Sequence, residues 1–374
     1  MAAYVIPASR LLLRSLKIGT PRSVYNPNIT GVRHLLAPHV TRYDDFEKER
    51  MRTEDRLFGD IETLRNAVSS KADKGDVIFT EEVKMILHIC YNEQHANLAE
   101  KILKSYHKQQ RNVSLDKFRF GPVVMRMLNS IKVHNKIIEL IKCKELHGFF
   151  FDPTSYNLAM DILFEVGDYN GVLDIYDEME FQGVKKIADS YSVPLAACYK
   201  LNTPEAYEVA LAILEEHKIK QVMLSRNAYC LVAALAINQN DPIKALSVLS
   251  LIRRTDNKIC QSIQVIALSM LKRFPEAFDH LQQTYERDVP TFVRKSQICE
   301  ECLDRVREDT KNDAELSAHF EAIYRNLETG GHISTDALSS LLCLTPVASR
   351  TRSMDRRSYA GRSFQTMSRL LIDE

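Results

Sequence analysis

The chain has no tryptophan, only 12 glycines and 12 prolines in 374 residues, and no aspartate or glutamate before Asp44. Scarce glycine, with few alternating β-branched runs, excludes a sheet-rich sandwich or barrel. No charge-free apolar stretch of about 18 residues occurs, so no segment reads as a membrane-spanning helix. HExxH, GxSxG and a phosphate-cradling glycine loop are all missing, and with them the common hydrolytic and nucleotide-binding chemistries. The acids beyond Ile298 (Glu300, Glu301, Asp304, Glu308, Asp309, Asp313 and Glu315) are spaced as a solvated helical face rather than as carboxylates converging on Mg²⁺. The eight cysteines, at 90, 143, 198, 230, 260, 299, 302 and 343, mostly interrupt apolar patterns and read as reduced core thiols. The single CxxC, Cys299 to Cys302, lacks the two further ligands that a tetrahedral zinc site needs. A binding protein is therefore expected, with no catalytic residue, no metal and no cofactor.

Charge is segregated. Up to Tyr43 the charged side chains are Arg10, Arg14, Lys17, Arg22, Arg33 and Arg42, whereas the whole chain carries only +1, so the remainder is net acidic. An acid-free, arginine-bearing leader with the amphipathic run ASRLLLRSLKI has the composition of a mitochondrial transit peptide, and its apolar runs are too short for a secretory core. Residues 1–43 are thus expected to be a leader directing the chain to the mitochondrial matrix. The Ser/Arg-rich tail, 345–374, is expected to be disordered.

Between these ends the sequence is helical almost throughout. In 155–184, Tyr156, Ala159, Ile162, Leu163 and Val166 fall three or four apart, as do Tyr169, Val172, Leu173, Tyr176 and Met179 after Gly167. Gly167 lets the chain reverse, and Gly183 closes the second helix. One such hairpin cannot bury both faces, so neighbours are required. With Tyr156 as an anchor, similar first helices begin at Phe120, Tyr191, Tyr229 and Ile263, spaced 36, 35, 38 and 34 residues, with a fainter copy near Glu82. Pro204 suits the first turn of a helix in the slightly longer interval. The spacing predicts an all-α solenoid of about six hairpins over 79–287, each packing on its neighbours. Residues 44–78 and 288–344, without clear period, are expected to be helical caps.

Tetratricopeptide units carry a tryptophan signature that is absent here. The stretch Pro153-Thr154-Ser155-Tyr156-Asn157, continuing through Gly167, Leu173 and Tyr176-Asp177-Glu178-Met179 to Gly183-Val184, instead resembles a pentatricopeptide repeat. The likeness is specific at this unit, degenerate elsewhere, and covers about 80–290. It implies a mitochondrial RNA-binding adapter, with single-stranded mitochondrial RNA and RNA-processing proteins as partners, acting in transcript maturation and hence in respiratory-chain function. The motif places base-facing residues at the fifth position of each unit (Gly121, Asn157, Ser192, Cys230, Gln264) and at the last (Asp152, Ile187, Ser225, Ile259). Of these, Asn157 and Ser192 can hydrogen-bond a base edge, while Cys230, Ile187 and Ile259 cannot usefully do so. Phosphate contacts are expected from Arg119, Arg126, Arg226 and Lys258, because bases slightly outnumber acids on first helices and the reverse holds on second helices. The acidic balance of the middle region leaves a second expectation: a scaffold whose groove binds protein rather than RNA.

Overall fold

In a computed structural model, which describes residues 35–110, 118–253, 255–286 and 295–344, the hairpin at 153–181 shows how the helices are set. Asp152 caps the first helix by accepting from the Ser155 amide at 3.0 Å, and Pro153 occupies the first turn, where its missing N–H is not needed. The helix runs Pro153–Val166 and ends on Gly167, left-handed at φ 87°. Asp168 caps the next helix, Tyr169–Phe181, by accepting from the Gly171 amide at 2.9 Å, and Gly183 turns the chain out at φ 70°. Tyr156, Ile162, Tyr176 and Met179 are fully buried between the two, each contributing roughly 1.5–3 kcal/mol relative to exposure.

The same unit recurs. Numbered in chain order, the helices are α1 Pro38–Thr41, α2 Tyr43–Leu57, α3 Ile61–Lys74, α4 Thr80–His88, α5 Glu93–Gln110, α6 Gly121–Ser130 and α7 Asn135–Ile141. Next come α8 Pro153–Val166, α9 Tyr169–Phe181, α10 Ala188–Leu201, α11 Pro204–Ile219, α12 Arg226–Asn238 and α13 Pro242–Leu249. The chain continues with α14 Lys258–Met270, α15 Phe274–Glu286, α16 Glu300–Thr310, α17 Ala314–Gly330 and α18 Leu338–Leu342. First helices pack side by side in the order α4, α6, α8, α10, α12, α14, α16, and second helices pack alongside, α3 on α5, α7 on α9 and α15 on α17. The chain is therefore an α-solenoid. Of the anchors, Phe120, Tyr156, Tyr191 and Ile263 are buried and Tyr229 is half-buried, while Pro204 opens α11 with Thr203 as its cap.

Stacking extends beyond the periodic region. The hairpin α2/α3 packs on α4/α5, and α16/α17 packs on α14/α15, as one more hairpin at each end. Their period is hidden for physical reasons: α2 is so polar that only Phe46 and Thr53 are buried, and thirteen positions separate the end of α15 from the start of α16. Ile298–Cys299 forms a short parallel pairing with Ile333–Ser334, bringing the chain after α17 back to the first-helix row. Residues 1–34 of the expected leader at 1–43, and the expected tail at 345–374, lie outside the described residues.

Candidate nucleic-acid interface

The fifth-position residues fall at a recurring seam, where each first helix meets the start of the next. Gly121 of α6 lies so close to α8 that a Cβ there would overlap Ser155 Oγ. Ser192 Oγ of α10 is 3.5 Å from Ser225 Oγ at the cap of α12, and Cys230 Sγ of α12 is 3.3 Å from Cys260 Sγ of α14. A hydrogen bond to Cys260 and burial push the Cys230 thiol up, so it stays protonated. Gln264 departs from this pattern, its amide nitrogen lying 2.8 Å from His280 Nε2 on α15. Asn157, at the equivalent position of α8, has 0 % of its surface exposed, and neither side-chain amide atom has a hydrogen-bond partner among the described residues. Such a group carries a desolvation cost of about 1–3 kcal/mol that a partner would remove.

The candidate residues at unit ends have local duties. Asp152 accepts from both the amide and the hydroxyl of Ser155, and Ser225 accepts from the Ala228 amide, so both are helix caps. Ile187 precedes α10 and is partly exposed, while Ile259 is buried. Among the cations, Arg119 and Arg226 are exposed. Arg126 and Lys258 are engaged: Arg126 Nε donates to Thr41 O at 2.6 Å and Nη2 to Val40 O at 3.2 Å, and Lys258 Nζ donates to Asp336 Oδ2 at 2.6 Å.

Those contacts belong to two segments that lie across the first-helix row. Residues 35–43 cross from one end: the Leu35 and Leu36 amides donate to Asp161 Oδ1 on α8 at 2.9 and 3.3 Å, and the Arg126 bonds hold the segment to α6. Burial pushes the Tyr43 hydroxyl up, and the nearby Asp161 and Glu165 push it further. Burial also raises the Asp189 carboxyl on α10, against the pull of His39. From the other end, α18 packs on α12 and α14, and Asn227 Nδ2 on α12 donates to Leu342 O at 2.8 Å. Asp161 and Asn227 are neighbours of the candidate residues that the sequence pattern did not point to. Asp161 did leave a signal, an acid set between Met160 and Ile162 within an apolar helix, where a charge survives only with partners. The face is thus mixed in sign, with Asp161, Glu165 and Asp189 near its middle and the cations toward α6, α12 and α14.

Among the described residues no helix is long and apolar enough to cross a membrane, and no three His, Cys, Asp or Glu side chains converge as a metal site would require. A family model described as mitochondrial 28S ribosomal protein S27 matches residues 8–349. The chain belongs to this family. Human "Pentatricopeptide repeat-containing protein 2, mitochondrial" is 32% identical over 383 residues, covering 100% of this chain and 99% of that protein. The protein of the same name from Danio rerio is 31% identical over 318 residues, 85% of this chain and 83% of its own length. The pentatricopeptide likeness read from 153–184 therefore agrees with what the full-length relatives are called. Among solved structures, the crystal structure of the maize pentatricopeptide repeat protein PPR10 aligns with 92% of this chain at 11% identity and a TM-score of 0.33. The chain spans 61% of the length of that maize protein. Family members of this kind carry mitochondrial names, and the leader composition of this chain agrees with them.

Proposed function

We propose that this chain is an RNA-binding adapter of the mitochondrial matrix that acts in maturation of mitochondrial transcripts and, through them, in respiratory-chain function. The observation that carries the reading is the recurring seam, which sets residues of consecutive repeats in line, together with the buried Asn157 amide at the equivalent position of α8, which has no partner among the described residues. A pentatricopeptide array reads one unstacked base per repeat with two or three side chains, and an amide offers both a donor and an acceptor to a base edge. In this reading Asn157 and Ser192 contact bases, Gly121, Cys230 and Gln264 line the path, Asp152 and Ser225 fix the helix starts that frame it, and Arg119, Arg126, Arg226 and Lys258 meet phosphates. The names of the full-length relatives support it. Crosslinking in intact organelles tests it: specific mitochondrial transcripts should be recovered, and affinity should fall with salt as roughly two to four phosphates are neutralised. Recovery of no transcript above background would remove RNA from the reading.

A second reading, a protein-binding scaffold, rests on a different observation. Phe151, Phe181, Ile187, Ile219, Met223 and Leu251, all at joints between successive helices, are exposed apolar side chains. A protein partner would be retained after nuclease treatment, whereas an RNA-bridged one would be lost.

A further inference from the structure

We propose that the two segments lying across the first-helix row, residues 35–43 and 333–344, are gates, and that single-stranded RNA reaches the seam only by displacing them. This inference rests on the RNA-binding reading above and adds its regulation. The first support is chemical mimicry. Arg126 and Lys258, two of the four phosphate candidates, are occupied by oxygen acceptors of the chain itself: the Val40 and Thr41 carbonyls on one, the Asp336 carboxylate on the other. A guanidinium and an ammonium that bind such oxygens can bind phosphate oxygens by the same donors.

The second support is the state of the seam beneath. Asn157 and Asp161 stand one turn apart on the same side of α8, since residues four apart share a helix face. Asp161 is fully buried under Leu35 and Leu36, and Asn157 is fully buried with both amide atoms unpaired among the described residues. The closed form thus leaves unsatisfied the group best suited to read a base.

The third support is the build of the segments. The N-terminal one contains a four-residue helix, α1, joined to α2 through Arg42, which is left-handed at φ 48° and belongs to neither helix. Its hold on α6 and α8 is by a few hydrogen bonds between its backbone and their side chains and by the side chains of Leu35, Leu36, Val40, Thr41 and Tyr43. The C-terminal one is the five-residue α18, tethered by a two-residue strand pairing. Short elements with few buried side chains are the ones that open locally without unfolding the rest. A left-handed residue at the junction provides a hinge. Opening uncovers Arg126 and Asp161 at one end and Lys258 and Asn227 at the other.

The full-length chain, Leu35→Ser/Leu36→Ser and Leu342→Ser test the proposal, since each change weakens a gate without altering the charge of the face. A fluorescent 20-nucleotide single-stranded RNA of randomised sequence serves as probe. Apparent affinity scales with the fraction of molecules already open, so each variant should bind about tenfold more tightly than the unaltered chain. In parallel, hydrogen exchange of the unaltered chain with saturating RNA should speed up in 35–43 and slow down in α8 and α10. Equal affinity of chain and variants, with 35–43 still protected when RNA is bound, would overturn the gates while leaving RNA binding standing. No RNA binding by any of the three would overturn both. Should the variants lose their thermal unfolding transition, the exchange measurement on the unaltered chain decides alone.

Discussion

On the proposed RNA-binding function, Asn157 is the residue at which stability and binding pull apart. Its amide is buried without a partner among the described residues, so replacing it with an apolar side chain of similar shape removes a desolvation penalty. Asn157→Leu should therefore raise the denaturant midpoint, by about 1 kcal/mol in stability, while weakening RNA binding. A variant that is both less stable and unchanged in affinity would show that Asn157 serves packing. Lys186 behaves in the opposite sense. Its ammonium, 1% exposed, lies 3.7 Å from the Tyr176 ring centre and donates to Glu180 at 3.0 Å and Glu216 at 2.8 Å, tying α9 to α11. Burial acts to raise the Glu216 carboxyl, but Lys186 and Lys220 outweigh it and hold it below its ordinary value of 4.5. The folded value is the lower one, so this stabilisation is present above about pH 4.5 and is lost as pH falls through the folded value. Lys186→Met leaves the half-buried Glu180 and Glu216 with Lys220 as their remaining cation and should cost about 1–3 kcal/mol at neutral pH, with a weaker loss of stability on acidification. Urea titrations of both proteins between pH 7 and pH 3 measure this.

At the scale of elements, the close approach of α6 to α8 depends on the missing side chain of Gly121, because a Cβ there would overlap Ser155 Oγ and press on Phe150. Gly121→Ala should destabilise by about 1–3 kcal/mol through overpacking despite its better helix propensity, and Gly121→Ala/Ser155→Gly should recover much of the loss. A double-mutant cycle from thermal unfolding reads the coupling. The hairpins were legible in the sequence where apolar periodicity is strong: Gly167 and Gly183 mark the turns of α8/α9, and four of the five anchors are buried. The terminal hairpins were harder to read because α2 buries little and α16 begins after a long interval. The segment at 35–41 was not legible as packed structure. A four-residue helix has no periodicity to detect, and its partner Asp161 lies 125 and 126 positions away from the residues it holds. The fifth positions could be placed along the chain, yet the burial of Gly121, Asn157 and Cys230 could not be foreseen, since packing between helices rather than local pattern decides it.

The whole molecule adds a constraint on the leader. Residues 35–43 read as leader by composition, yet Leu35, Leu36 and Thr41 are buried against the array. Removing them would strip Asp161 of its two backbone amides and Arg126 of its two carbonyls. The mature N-terminus is therefore expected before Leu35, and mass spectrometry of the protein recovered from mitochondria checks it; a terminus beyond Arg42 would show that the segment is discarded. The long reach of these contacts also bears on how the chain becomes folded. A solenoid of nearest-neighbour hairpins can assemble from its leading end as it emerges from a translocation pore. Here the leading residues must wait for α8, and the side of α12 that carries Asn227 must wait for Leu342, 115 positions later. Until the last stretch arrives, part of the apolar row stands open to water, so import delivers to the organelle an unfinished molecule whose apolar surface needs cover.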